Sequence, residues 1–157
     1  MALIMDRLRS QRGQSIVEFA VVLPVFLLIL MGILYFGRYE NYANQATQLS
    51  EEGARWAAVN TNPGASASQT LQQYIASQAT GELASGSSDV TSPLKAYIYN
   101  PTGQSSTVRV CVTATVIFST PAFSANYVIT ETSSMHIEQA PSVWTADTSI
   151  PSQCPKT

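Results

Sequence analysis

The sequence predicts an α+β protein in which a long N-terminal transmembrane helix continues as the spine of a small extracytoplasmic domain, with a second helix packed on an antiparallel sheet of three or four strands. Three observations predict it. Residues 19–37 (FAVVLPVFLLILMGILYFG) run without a charge. Around and beyond the end of that run, Tyr35, Tyr39, Tyr42, Ala46, Leu49, Gly53 and Trp56 recur in alternating steps of four and three, the spacing of a single helix face. From Lys95 onward apolar and polar residues alternate in segments divided by Asn, Pro and Gly, the pattern of strands and turns.

At about 1.5 Å per residue the charge-free run nearly crosses a hydrocarbon core of roughly 30 Å. The spanning part is placed at residues 16–37, inside a helix over 14–60. Arg7, Arg9 and Arg12 precede the run and only Arg38 follows it closely, so the positive-inside bias puts the N-terminus in the cytoplasm and the remainder outside. A cleavable secretory signal shares the basic leader, but its apolar run is usually about 7–15 residues and ends at a small-x-small site. Here the run is longer and ends in Tyr35-Phe36-Gly37-Arg38-Tyr39, so the helix is expected to stay attached. Pro24 removes one backbone hydrogen bond within the span and favours local curvature.

Composition narrows the rest. The chain has 157 residues, 45% hydrophobic and only 11% charged, which leaves room for one modest domain coated with Ser, Thr, Asn and Gln. The net charge of -2 divides unevenly: residues 1–13 carry +2, and the remainder carries -4 from five basic and nine acidic residues. With its basic residues concentrated in the leader, the chain is not read as a nucleic-acid binder.

Glu18 stands at the start of the span, where a carboxylate costs on the order of 2.5 kcal/mol or more unless it is partnered or near the interface. Two readings are open. Its side chain reaches the cytoplasmic headgroups, or the chain is cut after Gly13 and the new ammonium of Gln14 lies one helical turn away, on the same chain or a neighbour. The string Arg12-Gly13-Gln14-Ser15-Ile16-Val17-Glu18-Phe19-Ala20, followed by Pro24, Gly32 and Gly37 and later by Glu52-Gly53-Ala54-Arg55-Trp56-Ala57-Ala58, resembles the start of the TadE-like pseudopilins of tight-adherence (Flp) pilus systems. The resemblance covers roughly residues 12–58. One departure is Glu52, which stands where the family often has Arg. Met135, His136, Ile137 and Glu138 are similar in style to the family's closing strand.

The resemblance implies a bacterial minor pilin or pseudopilin in the inner membrane, able to enter a surface pilus and to serve in its assembly for surface attachment. It implies that a prepilin peptidase cuts between Gly13 and Gln14 and removes the cytoplasmic leader 1–13, with Glu18 placing the subunit. The implied partners are that peptidase, other pilin and pseudopilin subunits, the pilus assembly platform and membrane lipid. Glycine before the scissile bond suits a tight protease cleft, because without Cβ the backbone can lie close to the enzyme. The alternative is an uncleaved single-span anchor that displays a small extracytoplasmic binding domain. Pro24, Gly32, Gly37, Tyr39, Tyr42, Ala46, Leu49, Gly53 and Trp56 are assigned to helix packing, either as the inward face of the exported domain or as a surface for neighbouring subunits.

The exported domain is expected over residues 61–157, with stop signals for the long helix at Asn60-Thr61-Asn62-Pro63-Gly64. A short helix is read at 68–79, with Leu71, Tyr74 and Ile75 on one face, then a polar loop over 81–92 with no chemistry of its own. Strands follow at about 95–99, 107–119 and 123–138, and then a C-terminal tail over 140–157. In the middle strand Val108, Val110, Val112, Ala114, Val116 and Phe118 form an apolar face, and Arg109, Cys111, Thr113 and Thr115 point the other way. Cys111 and Cys154 are read as a disulfide that holds the tail, against the alternative of one buried and one free thiol. No catalytic site, metal site or cofactor is read. His136 belongs to a strand pattern without a nucleophile or metal-ligand spacing, and Glu131 and Glu138, seven apart on one strand, cannot pair.

Overall fold

The computed structural model describes residues 2–59, 70–100, 106–120, 123–138 and 150–155, with side chains in the first segment described from Gly13. The elements are α1 (Ala2–Val59), α2 (Leu71–Gln78), α3 (Gly81–Ser85), β1 (Val90–Tyr99), β2 (Thr107–Thr120) and β3 (Phe123–His136). They fall into two compact units, Met1–Arg38 and Tyr39–Thr157.

The first unit consists of the N-terminal part of α1. Its backbone stays helical on both sides of Pro24, and each Val, Ile, Leu, Met and Phe from Ile16 to Phe36 is exposed, from 37% at Leu23 to 70% at Ile16 and Leu28. A helix that is apolar all round is suited to lipid. The core helix of a water-soluble domain would instead have this surface buried.

In the second unit the strands form an antiparallel meander in the order β1-β2-β3. Strict alternation along β2 sets the two faces. Val108, Val110, Val112, Ala114 and Val116 are buried against the helices together with Leu94, Ile98 and Ile129. On α1 the facing stripe is Tyr42, Ala46, Leu49, Gly53, Ala54, Ala57 and Ala58, all buried, with Tyr39, Ala43 and Trp56 packed at its margin. The stripe expected from four-three spacing is thus the inward face of the domain from Tyr39 onward. Ser50, the buried polar residue within it, donates to Thr47 O at 2.8 Å.

Close approach is sharpest at Gly53. A Cβ built there would lie 2.7 Å from Ile75 Cδ1 and 3.2 Å from Val110 Cγ1, so α2 and β2 both use the missing side chain. α2 begins with a capping box, in which Thr70 Oγ1 accepts from Gln73 N at 3.4 Å and Gln73 Oε1 accepts from Thr70 N at 3.2 Å. In the first turn of α2, Gln72 closes the outer edge of β1: its amide donates to Leu94 O at 2.9 Å and accepts from Ala96 N at 2.7 Å. A side-chain amide there satisfies one donor and one acceptor of the edge strand.

Several expected boundaries change. The short helix expected at 68–79 occupies Leu71–Gln78, and positions 68–69 lie outside the described residues. The polar loop expected over 81–92 contains α3 and the start of β1. Leu83 is fully buried and Gly86, at φ 85°, ends α3; five residues are too few for helical periodicity to declare itself, and Gly81 reads as a stop when it is the first helical residue. β1 begins at Val90 instead of 95 because Pro93 is accommodated where the register shifts between Val90 and Lys95 on an edge strand. β3 ends at His136, and Glu138 N donates to Ala58 O at 3.2 Å. The stop signals at 60–64, the turn residues 101–103 and 121, and the tail at 140–149 and 156–157 lie outside the described residues.

Gly53→Ala gains helix propensity and is absorbed if the Ile75 δ-methyl turns away. Gly53→Val places two further carbons against Ile75 and Val110 and is expected to lower the stability of the exported domain by about 1–3 kcal/mol. Denaturant unfolding of the two variants, followed by circular dichroism, checks the difference between them.

Candidate functional site

Three regions hold the residues singled out in the sequence. The first is the start of α1. Gly13 and Gln14 lie within the helix, and a Cβ built on Gly13 meets nothing within 4 Å. Nothing in the fold requires glycine at this position. Four residues on, Glu18 is exposed and accepts from the Gln14 amide, Nε2 to Oε1 at 3.4 Å. That contact is long and neutral, so it leaves the carboxylate charge uncompensated by the amide. Gly32 and Gly37 likewise have open space among the described residues where a Cβ would stand.

The second region is the margin of α1 in the second unit, where polar side chains tie it to α2 and α3. Tyr42 Oη donates to Glu82 Oε2 at 2.5 Å, Tyr74 Oη to Glu52 Oε1 at 2.8 Å, and Thr80 Oγ1 to Gln45 Oε1 at 2.8 Å. The Trp56 and Tyr74 rings stack at 5.2 Å. Glu52, at the position of the departure from the family pattern, accepts from Tyr74 and stands 4.0 Å from Arg55 across an exposed turn. Its hydrogen bond, then burial, pushes the Tyr74 phenol above its ordinary 10.0. The three hydrogen bonds escaped sequence reading because each joins residues at least 22 positions apart.

The third region lies on the sheet face opposite the helices. Cys111 and Cys154 are bonded, with Cα atoms 6.0 Å apart, and with Tyr99 they form a buried cluster flanked by Tyr97 and Ile150. Register explains the grouping: Tyr97 pairs with Cys111 and Tyr99 with Arg109 across β1 and β2, so all four share the face away from α1. Two donors then hold the tail backbone, since Tyr99 Oη and Arg109 Nη1 both reach Pro155 O, at 2.6 and 3.1 Å. Burial pushes the Tyr99 phenol up from its ordinary 10.0, against the opposing pull of Arg109.

His136 is exposed at the end of β3 with Nδ1 3.1 Å from Ile137 O. Glu131 lies on β3 opposite Val112, and Glu138 falls beyond the strand end. Among the described residues no group of three His, Cys, Asp or Glu side chains could hold a metal ion. A polar groove of about 290 Å³ between α1 and the α2–α3 junction is lined by Gln45, Gln48, Glu52, Gln78 and Thr80 along with Leu49 and Ala79; its one ionisable group, Glu52, already serves Tyr74.

Comparison with known proteins finds a match to the family described as TadE-like protein over residues 13–55. No curated protein and no solved structure matches the chain. The matched stretch starts at Gly13, takes in Glu18 and the whole apolar run, and closes at Arg55, just past the Gly53 contact. Among the described residues it coincides with one helix long and apolar enough to cross a membrane. The three-stranded sheet and the disulfide lie beyond it.

Two predictions concern the tail. Reducing the disulfide, or replacing Cys111 and Cys154 by Ala, frees a loop with a sequence separation of 43 and is expected to cost about 2–4 kcal/mol; melting the full chain in detergent with and without reductant measures it. The raised phenols set an alkaline limit. Because folding favours neutral Tyr74 and Tyr99, the stability they contribute is intact below about pH 10 and falls as pH rises from there through their higher folded values, where the unfolded chain loses its protons first. A series of melts across that range should show the fall, and Tyr99→Phe should reduce it.

Proposed function

We propose that this chain, TadE-like over residues 13–55, is a minor pilin or pseudopilin that a prepilin peptidase cuts after Gly13 and that then takes part in assembling a tight-adherence pilus for surface attachment. The observation that carries the reading is the pairing of a glycine with open space around it and a carboxylate one turn later whose partner among the described residues is an amide. Both features make sense once the bond between Gly13 and Gln14 is broken. The cut turns a mid-helix position into a helix N-terminus, with an ammonium and unpaired N–H groups at its positive end. Glu18 is then within reach of a cation in apolar surroundings, where a charge-assisted hydrogen bond is strong.

The rest of the first unit supports the same reading. Its apolar side chains are exposed on every side, so it can be held by lipid before assembly and by the helices of other subunits afterwards. Handing the helix from one apolar environment to the other involves little change in hydrophobic burial, since lipid tails are as apolar as Leu side chains. Selection of position within an assembly then falls to polar groups, and Glu18 is the charged residue nearest the start of the span. The peptidase, the assembly platform and other pilin subunits are the partners this mechanism requires. The exported unit, with its tail stapled across the sheet, travels as folded cargo on the helix.

Intact-mass and N-terminal peptide analysis of the protein from membranes tests the cut: the expected first residue is Gln14, and a chain that retains residues 1–13 would instead be an uncleaved anchor. Glu18→Ala is expected to leave membrane insertion unchanged and to reduce incorporation into pili about tenfold or more, the equivalent of about 1.4 kcal/mol. Quantifying the protein in sheared pilus fractions and in membranes separates the two effects.

A further inference from the structure

Gln14 carries a reactive group that stays masked while the leader is attached. In the intact chain its nitrogen belongs to the peptide bond with Gly13, where resonance draws the lone pair into the carbonyl. A cut after Gly13 frees that nitrogen as an amine, on a residue whose own side chain ends in a carboxamide. Nitrogen, Cα, Cβ, Cγ and Cδ are then the members of a five-atom ring that one new bond closes. Having both reacting groups on one residue removes the entropy cost of bringing them together. Gln14 is exposed, so tight packing does not hold its side chain open.

Glu18 is what draws the side chain away from that nitrogen. The Gln14 amide donates through Nε2 to Glu18 Oε1 at 3.4 Å. Glu18 stands four residues on in α1, about 6 Å further along the axis. Helical side chains lean toward the N-terminus, so the carboxylate comes back to meet the amide. Ring closure needs the opposite excursion, with Cδ folded onto the residue's own nitrogen. One carboxylate therefore opposes closure twice. It holds the amide forward, and as counter-ion of the new ammonium it favours the protonated nitrogen, which has no lone pair with which to attack.

We propose that Gln14 is a self-modification site, at which the amine released by the cut closes on Cδ to form pyroglutamate, and that Glu18 restrains the closure. The inference rests on the proposed cut after Gly13. The bond formed is N–Cδ and the bond broken is Cδ–Nε2. Nε2 leaves as ammonia with the proton that the attacking amine gives up, and no oxidant or second substrate is consumed. The product is a neutral lactam. It has no ammonium to offer Glu18 of its own chain or of a neighbour, so a chain that cyclises loses the contact proposed to place it. A chain whose ammonium is already paired keeps it. Closure thereby limits how long a cut subunit stays competent for assembly.

The test follows the full chain in the membranes that produce it, at intervals after synthesis is stopped, by mass spectrometry of its N-terminal tryptic peptide. An isotope-labelled synthetic peptide of residues 14–38, added at lysis, reports any closure during handling. The expected peptide starts at Gln14 and occurs in two forms, one open and one lighter by a single ammonia, with the closed fraction rising in time above that of the standard. In Glu18→Ala the rise is expected to be severalfold faster. If the native peptide starts at Gln14 and closes no more than the standard, the proposal is overturned and the cut stands. If native and Glu18→Ala chains close at the same rate, the restraint assigned to Glu18 is overturned. If residues 1–13 are still attached, the cut reading fails and takes the proposal with it.

Discussion

The seat of α1 on β2 is the constraint on which the second unit depends. One core holds Tyr42, Ala46, Leu49, Ala54, Ala57 and Ala58 from the helix and the alternate residues Val108 to Val116 from the strand. Small residues on the helix let its axis come close, and Gly53 admits Ile75 and Val110 where any side chain would push them away. Once that distance is set, α2 is placed by Ile75, α3 by Leu83, and the partner strands by register with β2. Large apolar side chains buried there contribute about 1.5–3 kcal/mol each.

The two faces of the sheet are held by different physics. The helix face is an apolar core with its polar ties at the rim, where Tyr42, Tyr74 and Thr80 donate to Glu82, Glu52 and Gln45. The opposite face carries a much smaller cluster among the described residues, and there a covalent bond supplemented by two hydrogen bonds to one carbonyl keeps the tail in place. For a small domain such a staple substitutes for area that a thin layer of chain cannot bury. It also suits an extracytoplasmic location, where disulfides persist.

Two glycines of α1 illustrate how a fold can and cannot explain a residue. Gly53 is accounted for within the chain, by atoms 2.7 and 3.2 Å from where its Cβ would be. Gly13 has nothing near it, so the reason for it is sought in another molecule, and a peptidase cleft is one that needs an unhindered backbone. Glu18 follows the same logic, since among the described residues its partner is a side-chain amide while its charge calls for a cation. The chemistry proposed for this protein is therefore done to it, at a short stretch of a helix exposed on every side.

Sequence alone determined the parts governed by periodicity and composition. A charge-free run long enough to cross a bilayer, a four-three stripe from Tyr39 to Trp56, and strict alternation along residues 107–119 each express a local rule with a fixed repeat, and the long helix, its inward face and the faces of β2 follow from them. Tertiary structure decided what depends on distant partners. α3 exists because Leu83 finds the core and Tyr42 meets Glu82, although five residues have no periodicity to read. β1 tolerates Pro93 because it is an edge strand with a shifted register. Glu52 and Tyr74, or Tyr99, Arg109 and the Pro155 carbonyl, are brought together only when helices and strands are already packed. A repeat is written into neighbouring residues, while a contact across 22 or 56 positions is set by the path of the folded backbone.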